Sequence, residues 1–114
     1  MTIEDDRVVD SLGISKLDRK VVLLISDHLD WEDEEGHVRL FERKISCYLD
    51  FIRSGQIFES LPGAVGFPVR IELVQQYKPS ESALRILNAA KQQLGEMRYE
   101  FSFHPLPAGY RRPS

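Results

Sequence analysis

The sequence predicts an α+β fold, a two-layer sandwich in which two helices cover one face of a four-stranded mixed sheet, in the order ββαβαβ. In four short stretches, apolar residues alternate with polar ones or run together with β-branched neighbours, which is typical of strands. In two longer stretches they recur at three- and four-residue steps, the period of an amphipathic helix. The 114 residues, 42% of them apolar and 29% charged, are enough for one hydrophobic core.

The first two strands are predicted at residues 8–14 and 20–26. Gly13 interrupts the first strand, whereas the second is a β-branched, apolar run and should be the more buried of the two. The polar residues 15–19 between them suit a short turn. We therefore expect an antiparallel hairpin at the start of the domain.

The first helix is predicted at residues 32–53, with Asp30 as its N-terminal cap and Gly55 as its stop. Acidic residues crowd its first turn, where the helix dipole favours negative charge. Its core-facing apolar stripe comprises Val38, Phe41, Ile45, Tyr48, Leu49 and Ile52. A second, narrower stripe of Leu40, Cys47 and Phe51 lies on a different side. A helix with two apolar sides needs two surfaces to cover it.

Residues 56–68 contain several glycines and prolines and are predicted to form a loop that packs onto the domain through its apolar side chains. The alternating residues 69–77 follow as a half-buried strand. Because only one of its faces is apolar, we expect the sheet to have one face under the helices and one open face.

The second helix is predicted at residues 81–94, capped by Ser80 and stopped by Gly95. The alternation at residues 99–104 predicts the last strand.

These elements predict one domain at residues 8–104. We expect a flexible N-terminus at residues 1–7, where the chain is polar, and an irregular tail at residues 105–114, which is rich in proline.

Charge and cysteine content narrow the function classes. The formal net charge of −3 and the lack of a basic cluster argue against binding to nucleic acid. The longest uninterrupted apolar run, at residues 21–25, is far too short to span a bilayer, and the acidic first residues do not resemble a secretory signal. The single cysteine, Cys47, excludes an internal disulfide. We therefore expect a cytoplasmic protein that binds neither membranes nor nucleic acid.

Several segments resemble an uncharacterised family of small bacterial proteins of unknown function. The resemblance lies in VVDSLGI at residues 8–14 and, above all, in ISDHLDW at residues 25–31, and it extends from residue 3 to about residue 103. The residues after 105 extend past the usual ending of that family. The resemblance implies a stand-alone bacterial domain and no particular chemistry.

Asp27, His28 and Asp30 are the candidate catalytic residues, because they lie where a buried strand ends and a helix begins. An imidazole beside a carboxylate can exchange protons near neutral pH, and the same groups could bind a divalent cation. Their spacing matches no known metal or nucleophile motif, so no metal ligand or cofactor is assigned. In the structural alternative, the two aspartates accept hydrogen bonds from backbone N–H groups.

Surplus apolar surface gives the second set of candidates. Alternation along the second strand places Val22 and Leu24 on the face that the helices leave open, together with Val74, and Leu40, Cys47 and Phe51 add the second stripe of the helix. Exposed apolar patches on soluble proteins tend to mark contact sites. Alternatively, the loop at 56–68 covers the helix stripe and the C-terminal tail covers the open face.

Two hypotheses on function follow, and the first has a special case. The first is a non-catalytic module that binds a protein partner or a second copy of itself. A special case is an immunity or antitoxin-type inhibitor, since an acidic surface suits a basic partner. The alternative is a small enzyme or metal site at Asp27, His28 and Asp30.

Overall fold

The computed structural model describes residues 2–5 and 7–105, which form a four-stranded sheet packed against helices. The elements are β1 (Ser11–Ser15), β2 (Lys20–Asp27), α1 (Glu34–Arg53), α2 (Gln56–Ser60), a 3-10 turn (Pro62–Ala64), β3 (Val69–Gln75), α3 (Glu81–Glu96) and β4 (Glu100–Pro105). The predicted α+β class, with a mixed four-stranded sheet, is confirmed. Residues 106–114, which hold most of the predicted tail, lie outside the described part of the chain.

The strands lie in the order β1-β2-β3-β4, so neighbours in the sequence are neighbours in the sheet. The pair β1–β2 is antiparallel, whereas β2–β3 and β3–β4 are parallel. Each parallel connection passes through a helix, as a crossover requires. The carboxyl ends of β2 and β3 therefore lie side by side at one edge of the sheet, next to the N-termini of α1 and α3.

The core lies between the helices and one face of the sheet. Every second residue of β2 and β3 is buried, beginning with Val21 and Val69, while the residues between them are half-buried. The helices contribute Phe41, Tyr48, Ile52, Leu87 and Leu94 to this core. We call the face of the sheet that lies away from this core the open face. No helix in the described part of the chain is both long and apolar enough to cross a membrane.

The core stripe of α1 was predicted only in part. Phe41, Tyr48 and Ile52 are buried as expected, but two polar side chains, His37 and Lys44, are buried among them. The remaining predicted members of the stripe, Val38, Ile45 and Leu49, are half-buried. The buried face is therefore rotated relative to the apolar stripe of the sequence.

The N-terminal end of α1 and the start of the first strand differ from the prediction, whereas α1 ends at Arg53, as predicted. The cap is Asp33, whose carboxylate accepts a hydrogen bond from the N–H of Gly36 at 3.1 Å, because Asp30 instead closes a separate turn with Glu32. The first strand begins at Ser11 and not at residue 8, since the chain before it turns away toward α1. Ile3, ahead of the predicted domain start, is buried, and its N–H bonds the carbonyl of Ser26.

The predicted loop at residues 56–68 contains a short helix, α2, and a 3-10 turn, so the expectation of two helices was wrong. Ile57 and Ala64 are buried there, which fits the expectation that this segment packs onto the domain. The helix α3 continues through Gly95 to Glu96. Its stop comes later, at Arg98, which adopts the left-handed conformation with φ of 69°.

Candidate functional site

Asp27 and His37 form a buried pair at the carboxyl end of the sheet. Asp27 is the last residue of β2, and the first turns of α1 bring the imidazole of His37 over it. The distance from His37 Nε2 to Asp27 Oδ2 is 2.6 Å, and both side chains are about 1% exposed. Trp31 stacks on the imidazole with ring centroids 3.6 Å apart, which closes one face of the ring.

The surroundings of His37 fix where its protons lie. Its Nδ1 lies 2.9 Å from the carbonyl oxygen of Asp30, and a carbonyl can only accept, so Nδ1 carries a proton. Its Nε2 faces the carboxylate of Asp27, and these two groups share one further proton. Both ring nitrogens are thus committed to internal partners, and neither is free to act on a substrate.

The three candidate catalytic residues have different partners and do not converge. Asp27 meets His37, and its Oδ1 accepts from the N–H of Leu29 at 3.2 Å. His28 pairs with Glu4 instead, with 2.8 Å between His28 Nε2 and Glu4 Oε1. Asp30 uses its carboxylate within its own turn. Within residues 2–5 and 7–105, no group of three or more His, Cys, Asp or Glu side chains is placed to bind a metal ion.

A second buried polar cluster, which the sequence reasoning missed, surrounds Lys44 in the middle of α1. The ammonium of Lys44 is fully buried and donates to three acceptors: the carbonyls of Asp5 and Val8 and, at 2.6 Å, the carboxylate of Asp10. An ammonium has three donors, so the group is saturated. These bonds hold the N-terminal segment across the helix.

Tyr48, one turn further along α1, completes this cluster. Its hydroxyl accepts a hydrogen bond from the N–H of Asp10 at 2.9 Å and donates to the carbonyl of Leu24. The other carboxylate oxygen of Asp10 accepts from the N–H of Ser26. Burial raises the pKa of the Tyr48 hydroxyl above its ordinary value. Helix, sheet and N-terminal segment are therefore joined by internal hydrogen bonds.

The second apolar stripe of α1 is half-buried against the core and borders two grooves. Leu40 lies in a groove of about 380 Å³ beside Leu29. Cys47 and Phe51 border a larger groove of about 610 Å³, whose opposite wall is the N-terminal segment at Val8 and Val9. The N-terminal segment, in addition to the predicted loop, thus lies against this side of the helix.

The open face has a different character. Val22, Leu24 and Val74 lie on it as half-buried side chains, and no helix in the described part of the chain packs over them. Serine and glycine from β1 surround Val22 and Leu24 in a shallow groove of about 240 Å³.

Ion pairs border this apolar centre. Arg70 contacts Asp18 at 2.7 Å and Glu72 at 3.2 Å, and Lys20 pairs with Glu100. The hydrogen bond and the attraction of Asp18 raise the pKa of the Arg70 guanidinium, and the pKa of Asp18 is lowered, chiefly by its hydrogen bonds to Ser15 and Arg70. The open face thus combines this apolar centre with charged neighbours within the sheet, because Arg70 is paired with Val22 and Glu72 with Leu24.

Comparison with known proteins places the whole domain in one family. Neither a curated protein nor a solved structure matches the chain. The profile of DUF6572, described as a family of unknown function, matches residues 1–107, which include every helix and strand that the structure describes. The chain therefore belongs to the DUF6572 family, as its resemblance to an uncharacterised family predicted.

Proposed function

We propose that this protein is a non-catalytic protein-binding module and that the open face is its binding surface. The observation that carries the proposal is the contrast between the two faces of the sheet. On the helix side, every second side chain of β2 and β3 is buried in the core. On the open side, Val22, Leu24 and Val74 form an apolar centre that no helix of residues 2–5 and 7–105 covers, with Arg70 and Glu72 directly beside it. Burying such a centre against a partner is favourable, at about 25 cal/mol per Å² of apolar surface.

The chemistry-bearing residues support a binding role over a catalytic one. A general acid or base must come within hydrogen-bond reach of the group it serves. Asp27 and His37 are about 1% exposed and bonded to each other. His28 and Asp30, the other two candidates, have partners elsewhere. The enzyme alternative at these residues therefore has no observation in its favour, and we propose a structural role for the Asp27–His37 pair.

The charged part of the open face limits the kind of partner. It carries both signs, with Lys20 and Arg70 beside Asp18, Glu72 and Glu100. A surface of mixed charge suits a protein partner with complementary charges better than a polyanion. An immunity or antitoxin-type inhibitor is one form of this proposal, in which the partner is a basic protein. We place the function in the bacterial cytoplasm, where a lone cysteine stays reduced.

Site-specific photo-crosslinking in living cells tests the proposal. A photoreactive phenylalanine analogue replaces Leu24 at the centre of the open face, and in a matched control it replaces Arg85, an exposed residue of α3. We expect discrete protein adducts at position 24 and none at position 85. Each adduct is then identified by mass spectrometry.

The outcome separates the hypotheses. Adducts at position 24 support the proposal, whether the captured protein is a second copy or a different chain. Equal labelling at positions 24 and 85, or no adduct at either, would show that the open face binds no protein in the cell. Replacing Val74 with aspartate in the photoreactive variant should abolish the adducts if the apolar centre is what binds.

A further inference from the structure

The outer edge of β1 is unusually unprotected. Within the described part of the chain, β1 is an edge strand whose outer side has no backbone partner. Natural proteins guard such edges with charged residues, proline or bulges, since unpaired N–H and C=O groups invite another strand. The sequence of β1, SLGIS, contains none of these. The opposite edge strand, β4, carries Glu100, His104 and Pro105.

From this edge we infer that a second copy of the chain pairs with β1, antiparallel and about a two-fold axis at Gly13. In this register the numbers of paired residues sum to 26. Ser11 faces Ser15 of the second copy, Leu12 faces Ile14, and Gly13 faces itself. A two-fold interface must be self-complementary, and SLGIS meets this condition because it reads almost the same in both directions. This inference goes beyond the proposed function and does not depend on it.

The side chains of β1 fit this pairing on both faces of the sheet. Leu12 and Ile14 lie on the helix side, because they are paired with Leu23 and Val21 of β2. Ile14 is 37% exposed at the edge, and the pairing covers it with Leu12 of the second copy. The open side holds only small residues at the axis, so the two backbones can approach closely.

The turn after β1 supplies a projecting apolar residue, and the groove beside the N-terminal segment can receive it. Leu17 is 100% exposed, which is unusual for a large apolar side chain. Since Ser15 of one copy faces Ser11 of the other, the turn that follows β1 in one copy and the segment that precedes β1 in the other lie at the same end of the pairing. Val9 lines the groove of about 610 Å³, together with Val8 and Phe51. The two-fold axis repeats this contact, so Leu17 of each copy enters the groove of the other.

Charge complementarity supports the same contact. Lys16, Asp18 and Arg19 give the turn a formal charge of 2 − 1 = +1, while Arg7, Asp50 and Glu59 give the groove 1 − 2 = −1. Opposite charges on the two surfaces favour this orientation of the copies over others. The contact also enlarges the interface. Five paired residues alone bury much less than the roughly 800 Å² per partner of a standard interface. With the turn included we still expect a weak dimer.

Sedimentation equilibrium of the full chain, from low micromolar to several hundred micromolar concentration, tests the inference. The wild type should approach twice the 13.2 kDa monomer mass as its concentration rises. Gly13→Lys and Gly13→Glu should each stay monomeric, since side chains of like charge would face each other at the axis, with their Cβ atoms about 5 Å apart. A Cβ at position 13 meets no atom within 4 Å and φ is not positive there, so both variants should fold.

Mixing the two variants is the decisive step, because position 13 faces position 13 only in this register. An equimolar mixture should regain the dimer mass. Leu17→Asp, at a side chain without monomer contacts, should lose dimerisation at unchanged thermal stability, whereas Leu84→Asp on α3 should keep it. A wild type that is monomeric throughout, a dimer that survives in Gly13→Lys, or a mixture that stays monomeric would each overturn the inference. None of these results would affect adducts between the open face and another protein.

Discussion

The buried ion pair between Lys44 and Asp10 leads to the sharpest stability prediction. All three donors of the ammonium are used, and only Asp10 supplies a compensating negative charge, since the other two acceptors are backbone carbonyls. Asp10→Asn keeps the shape and an oxygen acceptor but leaves the cation buried without its counter-charge. Removing one partner of such a pair costs about 3–5 kcal/mol. Domains of this kind have a total stability of roughly 5–15 kcal/mol, so we expect a substantial fraction to be lost.

Urea unfolding followed by far-ultraviolet circular dichroism measures this loss directly. The matched control is Glu100→Gln, the same change of carboxylate to amide in the partly exposed pair with Lys20. There we expect at most about 1 kcal/mol, because solvent screens the pair.

A double-mutant cycle then tests the coupling. Lys44→Met leaves the Asp10 carboxylate unpaired, so adding Asp10→Asn to it should cost far less than Asp10→Asn costs alone. If Asp10→Asn costs no more than the Glu100→Gln control, or if the two changes are additive, the assignment of a buried charge pair is refuted.

Three further predictions use the same unfolding measurement. His37→Phe removes both hydrogen-bonded ring nitrogens and should cost about 2–4 kcal/mol. His28→Phe, at a partly exposed residue, should cost less than about 1 kcal/mol. Equal losses would contradict the buried role of His37. Because burial raises the pKa of folded Tyr48, the contribution of this residue to stability should be constant below pH 10.0 and should fall above it, where only the unfolded chain releases this proton. Tyr48→Phe should therefore make the alkaline loss of stability shallower. Arg98→Gly should gain roughly 1 kcal/mol by relieving the left-handed φ of 69°, while Arg85→Gly within α3 should lose about as much.

The fold could be predicted because periodicity depends on near neighbours in the chain. The alternation in β2 and β3 and the three- to four-residue steps in α1 and α3 each report which side faces the core. Where the structure departs from the prediction, a tertiary contact decided the outcome. The first strand begins late because Val8 and Asp10 bond Lys44, 36 and 34 residues away. Such a partner leaves no local pattern in the sequence.

The buried polar residues of α1 were missed for a related reason. The buried residues of α1 recur at helical spacing: His37, Phe41, Lys44, Tyr48 and Ile52. The sequence therefore contains the helical period of the buried face. Apolarity alone does not predict this face, because a histidine and a lysine interrupt the run of apolar residues that indicates a core face. Only the three-dimensional contacts of Asp27 and Asp10 show how these two side chains can be buried.

The two faces of the sheet therefore differ in whether their interactions are complete, and this difference bears on function. On the helix side, the polar groups of His37 and Lys44 are bonded within the chain, and changing them should affect stability first. On the open side and along β1, apolar side chains and backbone groups lack covering partners among the described residues. Changes at Leu24 or Gly13 should therefore alter association with little effect on unfolding, whereas changes at His37 or Lys44 should alter unfolding first. A loss of association that always tracked a loss of stability would contradict this division.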